Sequence, residues 1–212
     1  YTNFNTTVTE FDDFSFHEED LYNLLISGRE WYGERFDAIK ASYTFSFLFP
    51  NISSDISIKA SVLGRSISPT SSSFSISANG QLLPMNLNTG SVQGNYLNPY
   101  GNAKSDIASF SSGDAVTISM SYGIPNSSAN GWLNSLELNT RRLLAMHGTQ
   151  MQFRDTLSLG IGNIAKYTLS NTNNASIVWD ITNVCHPKQQ ETTLINNSLE
   201  FSLPSDSLKE FI

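Results

Sequence analysis

Between residues 41 and 203 the apolar side chains return at every second position, and that period decides the fold class. Tyr43, Phe45, Phe47 and Phe49 alternate with Thr44, Ser46 and Leu48 before Pro50 and Asn51. Ile56, Ile58, Ala60 and Val62 alternate with Ser57, Lys59 and Ser61, as Val116, Ile118 and Met120 do with Thr117 and Ser119. Successive side chains of an extended strand point to opposite faces, so each run offers one apolar and one polar face. Phe74, Ile76 and Ala78 repeat the pattern and end at Asn79 and Gly80, a pair that accepts the positive φ of a tight hairpin turn. Later runs at 132–144, 151–159, 165–169, 176–181 and 192–203 bring the total to about ten strands.

The chain is therefore read as all-β: a jelly-roll or Ig-like antiparallel β-sandwich with a short N-terminal helical or irregular embellishment. Residues 1–37 would be an N-terminal segment packing on the sandwich, 38–203 the sandwich, and 204–212 a linker toward a missing downstream domain. Two helical turns are predicted over 18–25, with Leu21, Leu24 and Leu25 on one face, and a loop over 89–101. Two small sandwiches are the alternative to one.

Composition narrows the function classes. Charged residues make up 15% of the chain, below the usual quarter or so. Ser and Asn take their place, 53 of 212 residues. Their short polar groups bond locally to backbone and suit turns and solvent-facing strands, a bias common in exported surface proteins. The net charge is −7, and residues 1–40 carry nine acidic side chains against Arg29, Arg35 and Lys40. Such a surface repels a phosphate backbone and an anionic membrane, so neither nucleic acid nor direct membrane insertion is expected. No apolar run reaches the ~18 residues of a membrane span. Cys185, the single cysteine, excludes an intrachain disulfide and a thiolate metal cluster. No leader opens the sequence, and both ends read as cut from something longer.

The stretch from His17 to Asp37 breaks the alternation. It gathers two Arg, Trp31, two Tyr and five acidic residues from Glu18 to Glu34 into one window. Arg29, Glu30, Trp31 and Tyr32 lie between Gly28 and Gly33, so the backbone is expected to turn at both ends and present them together. One reading is a locked turn in which Arg29 or Arg35 pairs with Glu30 or Glu34 over Trp31. The other is an interface anchored by Arg29, Glu30, Trp31, Tyr32 and Glu34, since Arg, Trp and Tyr are the residue types enriched at binding hot spots.

Catalytic readings fare less well. Cys185 and His186 are adjacent, and neighbours on an extended backbone diverge, so a thiolate–imidazole pair would need His17 or His147 instead. No Gly-rich turn beside Cys185 suggests an oxyanion hole, and the plainer account is a small core residue. The acidic residues of the first 34 positions form many pairs without a spacing that selects one for glycoside hydrolysis. Asp12, Asp13, Glu18 and Asp20 carry the oxygen ligands calcium prefers, but no calcium-loop motif, and three scattered His argue against zinc. No cofactor is expected. Glycan binding would call for an aromatic platform: Trp132 and Trp179 sit in strand-like runs expected to face a core, leaving Trp31 as the ambiguous ring.

Three patches resemble a known family. They are His17-Glu18-Glu19-Asp20, Asn23, Ser27 to Glu34 and Phe36; Gly131 to Leu144; and Val178 to Thr182. They are similar to the region preceding the peptidase domain of the PorU-like sortases of the type IX secretion system, a gingipain-like cysteine peptidase family. The resemblance implies a non-catalytic β-sandwich region, exported to the cell surface and associated with the outer membrane. It also implies a caspase-like peptidase domain downstream in the same chain as partner, with other type IX secretion surface proteins or lipopolysaccharide as further ones. In that family the catalytic His lies in a Gly-His-Gly-like turn and the Cys in a separate strand-end motif. Here Met146 precedes His147, and Cys185 lies before His186 and Pro187, so no catalytic residue carries over. Asp155-Thr156-Leu157 and Asp206-Ser207-Leu208 resemble acceptor triplets for O-glycosylation in bacteria that carry this family. The function expected is an accessory, pro-domain-like or scaffold role in a surface sortase that processes secreted cargo. A glycan- or lipopolysaccharide-binding module is the alternative.

Overall fold

A computed structural model describes residues 3–26 and 29–212, and every regular element in it is a strand. The strands form antiparallel sheets in a sandwich-like arrangement, with one parallel pairing, Thr6–Val8 on Ile164–Leu169. The chain divides into two compact units: Tyr1–Asp13, Phe49–Ser54 and Thr140–Ile212 in the first, Phe14–Leu48 and Asp55–Asn139 in the second.

The second unit holds the strongest alternation. One sheet runs Ser42–Leu48, Ala115–Gly123, Ser72–Ala78, Gln81–Leu82, with Leu87–Gly90 added to Ser72–Ala78. The other pairs residues 130–139 of the strand Asn130–Leu143, whose last four residues belong to the first unit, with Ile56–Arg65, which pairs in turn with Asn102–Phe110. Ile56, Ile58, Ala60 and Val62 are buried from one sheet, and Phe74, Ile76, Ala78, Val116, Ile118 and Met120 from the other. Phe36 joins the two layers, its ring edge-on to Phe74 at 5.2 Å and to Tyr43 at 4.8 Å. The hairpin at Asn79 and Gly80 forms as expected, with φ of 49° and 83° and Ala78 opposite Gln81.

The first unit is built around stacked aromatics. Ile164–Leu169 lies between Thr6–Val8 and Ser198–Pro204, which pairs on with Thr193–Ile195. A small second sheet orders Phe153–Arg154, Glu210–Phe211, Trp179–Asp180 and Lys188–Gln189. Phe153, Tyr167, Phe201 and Phe211 form the core, with Tyr167 stacked on Phe201 at 5.1 Å and Phe153 on Phe211 at 5.1 Å. Residues 204–212, expected as a linker, thus include a two-residue strand whose Phe211 is fully buried.

The helical turns expected over 18–25 are replaced by an antiparallel bridge between Tyr22 and Tyr32. The Leu21 and Tyr22 amides both donate to the Tyr32 carbonyl, and the Tyr32 amide returns a bond to Tyr22. The three leucines do not share a buried face: Leu24 packs on Tyr32, Leu63 and Trp132, whereas Leu21 and Leu25 are exposed. The Tyr22 amide, which a helix over 18–25 would have bonded to residue 18, is taken instead by Tyr32. Part of the expected loop at 89–101 is also ordered, since Leu87–Gly90 is a strand and Val92 bridges Ile67.

Candidate functional site

The irregular segment of the second unit separates its side chains into two sets. Tyr32 is buried against Leu63 and Trp132, and its hydroxyl donates to Glu30 Oε2 at 3.0 Å. Burial, then the hydrogen bond and the charge of Glu30, push the Tyr32 pKa up to about 12. Glu34 Oε1 lies 2.7 Å from His17 Nε2, while Glu34 Oε2 is buried without a hydrogen-bond partner among the described residues. The His17 ring in turn lies 4.5 Å from Phe45. Tyr32 and Glu34 therefore face inward and fasten the segment. Arg29, Glu30 and Trp31 face outward, Trp31 at 44% exposure.

The expected locks do not form. Among the described residues, neither Arg29 nor Arg35 pairs with Glu30 or Glu34. Arg35 instead donates through Nε and Nη2 to Asn130 Oδ1, at 3.1 and 2.7 Å, and lies 3.4 Å from Asp37. The turn expected at Gly28 lies outside the described residues. Gly33 serves close approach: a Cβ there would meet the Glu19 carbonyl at 3.1 Å, and its amide donates to Leu133. A cavity of about 350 Å³ opens beside the segment, lined by Leu24, Leu25, Arg29, Glu30, Tyr32 and Tyr100 among others.

Asp12 and Asp13, read as calcium candidates, are arginine partners in the first unit. Arg141 donates to Asp12 at 2.7 Å and to buried Asp155 at 2.8 Å. Arg142 donates to Asp13 at 2.7 Å and to the Pro50 carbonyl, over the Phe11 ring. Thr156 of the first acceptor triplet donates both its amide and its hydroxyl to Asp12. Glu18 lines a cleft with Phe14 and Phe16, and Asp20 is exposed. Among the described residues, no group of three His, Cys, Asp or Glu is placed to hold a metal ion.

Cys185 is exposed, on a turn where its amide and that of His186 both bond to Asn183, so it is not the core residue expected. His17 is committed to Glu34, and His147 lines a cavity in the first unit. Trp132 is buried as expected, with an indole N–H that finds no partner among the described residues. Trp179 is not in the core: at this strand Val178 is buried, which turns Ile177 and Trp179 to the other, exposed face.

No family model matches the sequence, and no curated protein does. Among solved structures the chain is similar to the "dimeric latent PorU from Porphyromonas gingivalis", with a TM-score of 0.82 and 20% identity over its full length. It spans about a fifth of that protein, covering 21% of the neighbour's chain. At this identity the likeness establishes a shared fold.

Proposed function

We propose that this chain is a non-catalytic accessory part of a larger cell-surface sortase or cysteine peptidase that processes type IX secretion cargo. It packs against a downstream caspase-like peptidase domain through Arg29, Glu30 and Trp31, supporting that domain or shaping access to it. The observation that carries this reading is the fold shared with one fifth of latent PorU along the whole chain. The local chemistry supports it: the inner half of the Arg29–Glu34 segment is fastened by Tyr32 and Glu34, which leaves Trp31 displayed on a fixed backbone. An aromatic held in place before binding loses little entropy when it anchors a partner. Cell-surface location and the outer membrane belong to the same proposal.

The test is binding between this chain and the separately produced downstream segment of its natural protein. Measurable affinity that Trp31→Ala and Arg29→Ala each weaken by about tenfold is expected. No affinity, or affinity indifferent to both changes, overturns the reading. The alternative, a glycan- or lipopolysaccharide-binding module, is favoured by one observation, the half-exposed Trp179 indole on a cavity of the first unit.

A further inference from the structure

We infer that the first unit carries a binding site for a neutral saccharide in the cavity beside Trp179. This deepens the glycan-binding alternative, on which it rests, by assigning the site and the chemical class, and it does not depend on the accessory role. The cavity has a volume of about 660 Å³, within the range usual for small-molecule sites. Its floor is apolar, formed by the buried Phe153, Leu169 and Val178. Trp179, at 37% exposure, is among its lining residues. The exposed lining carries no Arg, Lys, Asp or Glu: Thr149, Gln150, Asn171, Asn173 and Ser176 supply polar groups beside the apolar Ile177, with His147 the lone titratable side chain among the described lining residues.

This is the chemistry a sugar ring asks for. One face of a pyranose is a patch of C–H groups that packs on an aromatic plane, while its hydroxyls are at once donors and acceptors. Side-chain amides and hydroxyls answer both roles. An anionic sugar or a phosphate would instead call for Arg or Lys, and neither residue type is among the described lining residues.

The groups are also held in place. The Trp179 amide donates to the Ile212 carbonyl at 2.8 Å, and the Ile212 amide returns a bond at 3.0 Å. Asn171, at φ 57°, donates its side-chain Nδ2 to the Met146 carbonyl at 2.8 Å, which leaves its own side-chain carbonyl as an acceptor. Asn173 Oδ1 accepts from the Ala175 amide at 2.8 Å, which leaves its NH2 as a donor. Preset amides lower the cost of ordering a polar ligand.

The full chain is titrated with chitotriose, mannotriose and maltotriose, and with sialyllactose as an acidic probe, following tryptophan fluorescence. At least one neutral trisaccharide is expected to saturate the signal with a Kd of about 1 mM or tighter. Trp179→Ala is expected to weaken that binding by about tenfold or more, and Trp179→Phe by less. Gln150→Ala, at the rim, weakens it severalfold with an unchanged melting curve, which covers the case of a misfolded Trp179 variant. Tyr96→Ala, an exposed aromatic of the other unit, has no effect. Binding of sialyllactose alone overturns the neutral class and leaves the broader glycan reading standing. No binding of any probe at about 10 mM overturns both. Binding indifferent to Trp179→Ala and Gln150→Ala overturns the site.

Discussion

Arg141 and Arg142 are neighbours on one strand, and Asp12 and Asp13 are neighbours on another. Because adjacent side chains diverge, each arginine meets one aspartate, Arg141 with Asp12 and Arg142 with Asp13. These residues lie 129 apart in the chain, so nothing in the local pattern announces the contact. Arg141 also reaches Asp155, which is 3% exposed and without it would keep the Ser158 amide but no positive partner, a stranded charge. Arg141→Ala is expected to destabilise the first unit by about 3 kcal/mol, read as a lower denaturant midpoint. Adding Asp155→Ala should recover part of the loss, since the stranded charge is then gone. A loss below about 0.5 kcal/mol in Arg141→Ala would assign the network the small worth of a surface pair. At Tyr32 the raised pKa gives a pH signature. The neutral phenol is favoured in the folded state, so its contribution is intact below pH ~10 and lost as pH rises toward about 12. Absorbance at 295 nm should show a late-ionising tyrosine that is missing in Tyr32→Phe.

Strands were legible where alternation and turn chemistry agreed. The hairpin at Asn79 and Gly80 is one such case, and the buried Ile56, Ile58, Ala60 and Val62 are another. They became illegible where a short run allowed either parity, as at Trp179, or where a turn lacked glycine. Asn196 and Asn197 both take positive φ and split the 192–203 run into two paired strands. The stretch from His17 to Asp37 stands out in the sequence, but its bridge at Tyr22 and Tyr32 and its clasp at His17 and Glu34 follow from tertiary pairing. Gly131 lies where two sheets of the second unit approach. A Cβ there would meet Phe74 Cζ at 2.5 Å and the Tyr122 ring at 3.0 Å. Gly131→Ala should therefore cost about 1–3 kcal/mol in thermal or denaturant unfolding. Gly113→Ala, whose Cβ would meet nothing within 4 Å, should have little effect. Equal melting curves for the two variants would contradict the packing described here.

At the scale of the molecule, three separate chain segments gather into the first unit, with Thr6 beside Ala165 in one sheet. Local pattern predicts that strands exist and says little about which distant strand each one joins, because pairing is decided by closure of long loops. The all-β class was thus within reach of the sequence, while the interleaving was not. The same distance hid the Trp179 cavity, whose lining residues run from Met146 to Ile212. Among the described residues the chain presents an exposed thiol on a turn, a His17 imidazole engaged by Glu34, and an aromatic displayed on a fastened segment. Its proposed work is recognition, with bond cleavage left to a neighbouring domain. The most direct measurement is cargo processing in cells whose parent protein carries either Cys185→Ala or Trp31→Ala together with Arg29→Ala. The account predicts full processing with Cys185→Ala and a loss of about tenfold with the double change. Processing abolished by Cys185→Ala, with the double variant at full rate, would contradict it.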